Sequence, residues 1–325
     1  MIDLPVADLY THTELFMPVQ VINGRRPGPT LFVSAAVHGD ELNGVEIIRR
    51  LLKQRRLSSL RGALIAVPIV NVHGFLDQSR YLPDRRDLNR SFPGRETGSI
   101  AARLAHSFST QILAQSDCGI DLHTGALHRS NLPQVRANLA DAQTRAMAEA
   151  FGAPVIIDAN LRDGSLREAA AQAGVSMLLY EAGEALRFDD VSIRGGLRGI
   201  LNVMRLLEML PPLKKSSAPR LPVVAEQTRW VRAPASGIVR LHVRLGARVK
   251  QGDRLATLSD PFGNSETEVA ATFAGIVIGR INLPLAHEGD ALLHIAAFES
   301  VRDAANTVEE FQAEFEPATE APTSA

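Results

Sequence analysis

The chain has 325 residues, a hydrophobic fraction of 45% and a formal net charge of -1 from 35 basic and 36 acidic residues. This length suits two domains with a sizeable core, and the balanced charge gives no electrostatic reason to expect nucleic acid or a membrane as partner. The single cysteine, Cys118, excludes an internal disulfide, and no apolar run reaches the roughly 18 residues of a membrane span. Because the N-terminus lacks the basic and apolar regions of a secretory signal, we expect a cytoplasmic protein.

Apolar runs and helical patterns alternate along the first two thirds of the chain. The runs predict strands at 30–37, 63–70, 118–123, 154–158 and 176–181. The helical patterns lie at 42–56, 99–114, 141–151, 165–173 and 197–210. Residues 71–98 are polar and predict a long loop of the kind that carries function. Since the strands are apolar on both faces, we predict an α/β fold with a mostly parallel or mixed sheet flanked by helices.

The last third of the chain has a different character. A proline-rich stretch predicts a linker, and short strands with frequent glycine follow it. Ser236-Gly-Ile-Val is echoed by Ala274-Gly-Ile-Val, so two similar β units are expected to form a small barrel-like domain. The acidic end is expected to be flexible. The predicted division is 1–212 for the first domain, 213–225 for the linker, 226–300 for the β domain and 301–325 for the tail.

Three potential metal ligands lie next to predicted strand ends. His38 and Glu41 are three residues apart at a strand-to-helix junction, and His123 ends another strand. In open α/β sheets, ligands bind beyond the carboxyl ends of the strands. A catalytic zinc site needs three protein ligands and one open position. His38, Glu41 and His123 are therefore predicted to hold one metal ion, although His-x-x-Glu alone is a weak signal.

Two acidic residues lie close to this predicted site. Asp121 shares a strand face with His123, so it either orients the imidazole or serves as a simple cap or ion-pair partner. Glu181 closes the strand at 176–181 and is a candidate general base. Glu184 is the competing acid, and we expect it to be exposed.

The polar stretch at 71–98 contains residues suited to binding a substrate. Asn89 and Arg90 are suited to a carboxylate, because arginine offers a planar fork of two donors. A nearby arginine could stabilise the oxyanion that forms when water attacks a carbonyl, and Arg80, Arg85 and Arg86 are the candidates. For Arg85 and Arg86, a solvated loop charge is the favoured interpretation.

Four motifs in order along the chain resemble the succinylglutamate desuccinylase/aspartoacylase family, which is related to the zinc carboxypeptidases. They are His38-Gly-Asp-Glu41, Asp87-Leu-Asn-Arg90, Asp121-Leu-His123 and Tyr180-Glu181-Ala-Gly183, and the resemblance covers roughly residues 10–300. It implies a zinc-peptidase-like core and a C-terminal region similar to a biotinyl/lipoyl-like barrel.

The resemblance also implies a function and a set of roles. The chain would use one Zn²⁺, held by His38, Glu41 and His123, to hydrolyse the amide of a small N-acyl amino acid of the acetyl or succinyl type. By the same match, Glu181 is the general base and Arg80 polarises the carbonyl, with Arg85 as the alternative. The match assigns substrate binding to Asn89, Arg90 and, through Ser165-Leu-Arg167, Arg167.

One departure and several alternatives stay open. Aspartoacylase places a tyrosine from its C-terminal domain in the site, whereas the tyrosines here, Tyr10, Tyr81 and Tyr180, all precede that domain, which argues against acetylaspartate specificity. A carboxypeptidase for short peptides is the alternative enzyme. A carrier is a further alternative, but 259–269 contains no lysine to modify. A non-catalytic metal protein and a homo-oligomer also stay open.

Overall fold

The computed structural model describes residues 1–213 and 222–316. Its strands are β1 (Ile2–Asp8), β2 (Glu14–Asn23), β3 (Arg26–Ala35), β4 (Arg61–Val67), β5 (Cys118–Gly125), β6 (Arg129–Ala137), β7 (Val155–Asp158), β8 (Ser176–Glu184), β9 (Val223–Ala225), β10 (Gln227–Arg232), β11 (Gly237–Leu241), β12 (Arg248–Val249), β13 (Arg254–Ser259), β14 (Glu266–Ala270), β15 (Gly275–Ile281), β16 (Leu285–Ala286) and β17 (Ala291–Ala297). Its α-helices are α1 (Asn43–Leu52), α2 (Val72–Leu76), α3 (Ile100–Gln111), α4 (Ala142–Phe151), α5 (Leu166–Gln172), α6 (Asp190–Leu206) and α7 (Val301–Phe315). Short 3-10 helices lie at Arg55–Ser59, Leu88–Arg90 and Leu113–Gln115.

A mixed sheet forms the centre of the molecule. Strands β4, β3, β5 and β8 lie side by side and parallel, while β2 joins β4 and β6 joins β8 in antiparallel pairs. The prediction of an α/β fold with a mixed sheet is therefore confirmed. The parallel arrangement brings the carboxyl ends of β3, β5 and β8 to one edge of the sheet.

Helices cover both faces of this sheet, which is why its strands are apolar on both sides. On one face, α1, α4 and α6 contribute Ile47, Phe151 and Ile200 to a buried cluster. On the other face, Phe108 of α3 packs its ring edge-on against Phe32 of β3, with ring centroids 5.7 Å apart. Burial on two faces fixes the register of the central strands and so the positions of the residues at their ends.

A small β domain follows, as predicted, but it extends the central sheet. Strand β15 pairs with β6, so that β15, β17 and β10 continue the 13-stranded sheet of the described residues. A second sheet has the order β14, β13, β11, β16, and the residues between the two sheets form a buried cluster. The two similar β units predicted from the sequence are visible in the strand pairing. Strand β11 pairs with β13, and β15 pairs with β17, as equivalent antiparallel pairs in different sheets.

The predictions for the linker and the tail need correction. The end of the predicted linker forms β9, which pairs in parallel with β7. The expected flexible tail instead begins with helix α7, which buries Val308 and Phe311. The physical reason is that four apolar residues of α7 lie on one helical face despite the acidic composition. Residues 214–221 of the linker and 317–325 of the tail lie outside the described residues.

Three strands of the first domain are absent from the predicted elements. Strands β1 and β2 form an antiparallel pair at the sheet edge, and β6 lies between β8 and β15. The sequence of β6, RSNLPQVRA, carries polar residues and a proline, which hides its strand character. Among the helices of the described residues, none has both the length and the apolar composition that crossing a bilayer demands.

Candidate metal-dependent active site

The sequence-predicted residues meet in one cavity of about 340 Å³ at the carboxyl ends of β3, β5 and β8. After β3, Ala36 adopts a φ of 51°, and the carbonyls of Ala35 and Ala36 accept hydrogen bonds from Val70 and Asn71. The chain can then pass close to α2 only because residue 39 is a glycine. A Cβ added there would lie 1.9 Å from the carbonyl carbon of Gly74.

His38, Glu41 and His123 converge as the sequence predicts. Nδ1 of His38 lies 2.7 Å from Oε1 of Glu41, and Nδ1 of His123 lies 2.9 Å from Oε2 of the same carboxylate. All three side chains are buried, and their donor atoms lie within 4.8 Å of one another. Two imidazole nitrogens and one carboxylate form the donor set of a catalytic zinc site, so these residues fit the ion.

The second nitrogen of each imidazole, Nε2, contacts a further carboxylate. Nε2 of His38 lies 3.1 Å from Oδ1 of Asp87, and Nε2 of His123 lies 2.6 Å from Oδ2 of Asp121. Asp121 also accepts a hydrogen bond from Ser34. Metal-binding histidines commonly donate their second N–H to such a group, which fixes the ring and raises its basicity. Of the two interpretations of Asp121, its contacts support the one in which it orients His123.

The electrostatics of this cluster depend on opposite charges at close range. Burial lowers the pKa of His123, but Asp121 and Glu41 outweigh it and hold that pKa well above its ordinary value. The pKa of His38 is raised in the same way, against burial, by Glu41 and Asp87. Burial alone would raise the pKa of Glu41, whereas the two imidazoles hold it well below its usual range. Glu41 is therefore an anion, as a metal ligand must be.

Arg80 lies beside Glu41, one of the three potential metal ligands. Its Nη2 lies 3.0 Å from Oδ2 of Asp87 and its Nη1 lies 3.4 Å from Oε1 of Glu41. Burial lowers the pKa of Arg80, but the opposite effect of Glu41 and Asp87 is larger, and the pKa is raised overall. The guanidinium therefore stays charged at the cavity wall. The competing arginine, Arg85, is exposed and does not line this cavity.

Asn89 and Arg90 lie on a 3-10 turn whose start is capped by Asp87, which accepts the Asn89 N–H. The Asn89 side chain accepts the N–H of Leu166, and this bond ties the turn to the start of α5. Arg167, on α5, is buried and donates to the carbonyls of Ala159 and Asn160. Asn89, Arg90 and Arg167 all line the cavity.

Glu181 also lines the cavity, and it stands level with His123 in the parallel pairing of β5 and β8. Asn131 donates to its Oε1 at 2.7 Å, and Nε of Arg136 lies 2.6 Å from its Oε2. Glu184, in contrast to the expectation of exposure, is buried and accepts a hydrogen bond from Asn282. It does not line this cavity.

Five further charged, amide or aromatic side chains line the cavity, and no sequence pattern predicts them. Arg136 and Arg162 lie near Arg167, and burial together with these two like charges lowers the pKa of Arg167 to about 10. Trp230 reaches the cavity from the C-terminal domain, and its ring stacks on His294. The guanidinium of Arg129 lies over the same ring, 5.6 Å from its centroid. The unpredicted lining residues with a charged, amide or aromatic side chain are Arg129, Asn131, Arg136, Arg162 and Trp230. The C-terminal domain therefore contributes an aromatic side chain, Trp230, to the cavity wall.

The sequence and the fold both have known relatives. An N-α-acetyl-L-2,4-diaminobutyric acid deacetylase from Halomonas elongata is 29% identical over 294 residues, which are 87% of this chain and 86% of the relative. The product-bound structure of the ectoine utilization protein EutE (DoeB) from Ruegeria pomeroyi has a TM-score of 0.82 and 27% identity, over 91% of this chain and 94% of that one.

A succinylglutamate desuccinylase/aspartoacylase structure from Rhodobacter sphaeroides has a TM-score of 0.81 and 26% identity, with coverage of 91% and 94%. The Halomonas and Rhodobacter relatives are thus named for the removal of acyl groups from amino acids. Residues 27–207, more than half of the chain, match the family's catalytic domain. The chain belongs to the succinylglutamate desuccinylase/aspartoacylase family.

Proposed function

We propose that this protein is a zinc-dependent deacylase that hydrolyses the amide bond of a small N-acyl amino acid. The observation that carries the proposal is the convergence of His38, Glu41 and His123 in one cavity with Glu181 and Arg80. A zinc ion held there would supply a Lewis acid for the acyl carbonyl and would acidify water.

The chain's own side chains have separate roles in this reaction. Glu181 takes a proton from the attacking water and returns it to the departing amine. Arg80 donates to the acyl oxygen, where negative charge develops. Asn89 and Arg90 bind the substrate carboxylate, and Arg167 lies across the same cavity to bind a second polar group.

The size of the cavity favours a small acyl amino acid over a peptide. Trp230 forms part of the wall, so the C-terminal domain limits the space beside Glu181. A carboxypeptidase would need an open path for the residues on the other side of the scissile bond. A carrier function also has little support, since the turn between β13 and β14 contains no lysine.

The charge of the cavity indicates which amino acid the substrate contains. Four lining guanidiniums have no carboxylate at ion-pair distance within residues 1–213 and 222–316, namely Arg90, Arg129, Arg162 and Arg167. Such an excess favours substrates with carboxylates. The Halomonas relative is named for an amino acid with a second amino group. In this chain Glu181, a carboxylate of the same cavity, is already paired with Arg136. We therefore expect acidic or neutral side chains to be preferred.

A substrate panel tests the proposal. The protein with one zinc per chain should release amine from N-acetyl or N-succinyl amino acids faster than from dipeptides, and a chelator should abolish the activity. Glu181→Gln should lower kcat by at least about 100-fold while zinc content stays at one per chain. Cleavage of dipeptides alone, or full activity of Glu181→Gln, would contradict the proposal.

A further inference from the structure

Two side chains of one strand hold the carboxylate of Glu181. Asn131 donates to Oε1 at 2.7 Å, and Arg136 places its Nε 2.6 Å from Oε2. Both residues belong to β6, which pairs with β8, so that Asn131 stands opposite Gly183 and Gln134 stands opposite Glu181. A carboxylate has about four acceptor positions. The hydrogen bond from Asn131 and the ion pair with Arg136 hold the carboxylate and leave acceptor positions free for a water.

The other edge of β6 pairs with the C-terminal domain. In that pairing, Asn131 of β6 stands opposite Gly279 of β15. A Cβ added to Gly279 would lie 2.8 Å from Oδ1 of Asn131 and 3.1 Å from Cβ of His294. The first of these distances is too short for a real contact. The missing side chain at residue 279 therefore leaves the space in which the Asn131 amide can lie while it donates to Glu181.

The neighbours of Gly279 are themselves rigidly packed. His294 is buried, and its ring stacks on Trp230 with centroids 4.4 Å apart and planes within 7°. The edge of the Trp230 ring would lie 3.6 Å from a Cβ at residue 279. Because these rings leave little room to shift, a side chain at residue 279 would displace Asn131 rather than its other neighbours.

We propose that the C-terminal domain helps to position the general base through this contact. Asn131 and Arg136 are positioning residues that set the orientation of the Glu181 carboxylate, and Gly279 provides the space for Asn131. The inference rests on the role of Glu181 in the proposed function. It assigns a part in the reaction to a residue of the C-terminal domain that does not line the substrate cavity.

Kinetics of single variants give the first test. Asn131→Ala and Arg136→Met should each lower kcat about 10- to 100-fold with KM changed less than threefold, because a carboxylate displaced by about 1 Å loses catalytic alignment. Arg136→Lys should recover part of the loss. Zinc content and thermal stability should match the wild type, and Arg240→Met, which removes an exposed guanidinium on β11, is the control for lost charge.

Double variants separate positioning from a general structural effect. Gly279→Ala should lower kcat in the wild type, but it should have little further effect in Asn131→Ala, where the atom that it would clash with is gone. Likewise, Asn131→Ala should have little further effect in Glu181→Gln, since both act through one carboxylate. Calorimetric affinity for a product amino acid should stay within threefold of the wild type in every variant.

Any of the following outcomes would overturn the inference. A rise in KM with unchanged kcat in Arg136→Met would make Arg136 a substrate contact. Equal losses from Gly279→Ala with and without Asn131 would make Gly279 a general packing position. Normal kcat in Asn131→Ala would remove the positioning role while the proposed function stands. Full activity of Glu181→Gln would overturn the role of the base itself and this inference with it.

Discussion

The imidazole of His123 lies between two carboxylates, Glu41 on its Nδ1 side and Asp121 on its Nε2 side. Asp121 is fully buried and its other oxygen accepts a hydrogen bond from Ser34. A buried acid in this position makes the ring a stronger electron donor and prevents it from rotating. His38 has the same arrangement with Glu41 and Asp87.

Asp121→Asn should therefore weaken zinc binding about 10- to 100-fold, because the amide carries no charge and supports the ring less well. Competition with a chromophoric chelator measures the affinity. The control is Asp8→Asn, at an exposed position of β1, which should bind zinc as tightly as the wild type. An unchanged affinity in Asp121→Asn would show that Asp121 only caps its strand.

The sequence predicts that the three potential metal ligands come together, and it misses the residues that contact Glu181. His38, Glu41 and His123 lie at the ends of predicted strands, and a sheet of known type brings such ends together. Asn131 and Arg136 reach Glu181 only because β6 pairs with β8 in one register. That pairing joins residues about 50 positions apart, as the separation of Asn131 and Glu181 shows, and local patterns do not encode it.

At the scale of elements, helix α7 shows how composition can mislead. The acidic average of the last 25 residues suggests a solvated tail, yet Ala304, Val308, Phe311 and Phe315 are spaced by four, three and four positions and are all buried. This spacing is typical of an amphipathic helix, so periodicity is the better predictor here. The parallel strands β3, β4, β5 and β8 have no such ambiguity, because each contains a short apolar run.

Phe311→Ala should test how firmly α7 is held. The ring is 3% exposed and packs beside Phe315, with ring centroids 4.9 Å apart. Removing it should lower the free energy of unfolding by about 3–5 kcal/mol, as for other buried phenylalanines. Chemical denaturation measures the loss. Asn306→Ala, at an exposed position of the same helix, should change stability by less than about 0.5 kcal/mol, and a similarly small effect of Phe311→Ala would mean that α7 is loosely attached.

At the scale of the whole molecule, the two domains share both a sheet and a core. Strands β6 and β15 pair across the boundary, and so do β7 and β9. A buried cluster combines Leu132 and Val155 of the first domain with Ile278 and Phe298 of the second. Domains that merely follow each other along a chain have small, polar interfaces and move independently. The joint sheet instead couples the C-terminal domain to the strand that supports Glu181.

This coupling predicts that the two domains unfold together. Differential scanning calorimetry should show one transition whose van't Hoff and calorimetric enthalpies agree. Leu258→Ala lies in the C-terminal domain's own cluster, and Ile278→Ala lies in the shared one. Both should move the single transition to lower temperature, since a cavity anywhere in a cooperative unit costs the whole unit about 2–5 kcal/mol. An early, separate transition in Leu258→Ala would show that the C-terminal domain unfolds alone, and its hold on the base would then be weak.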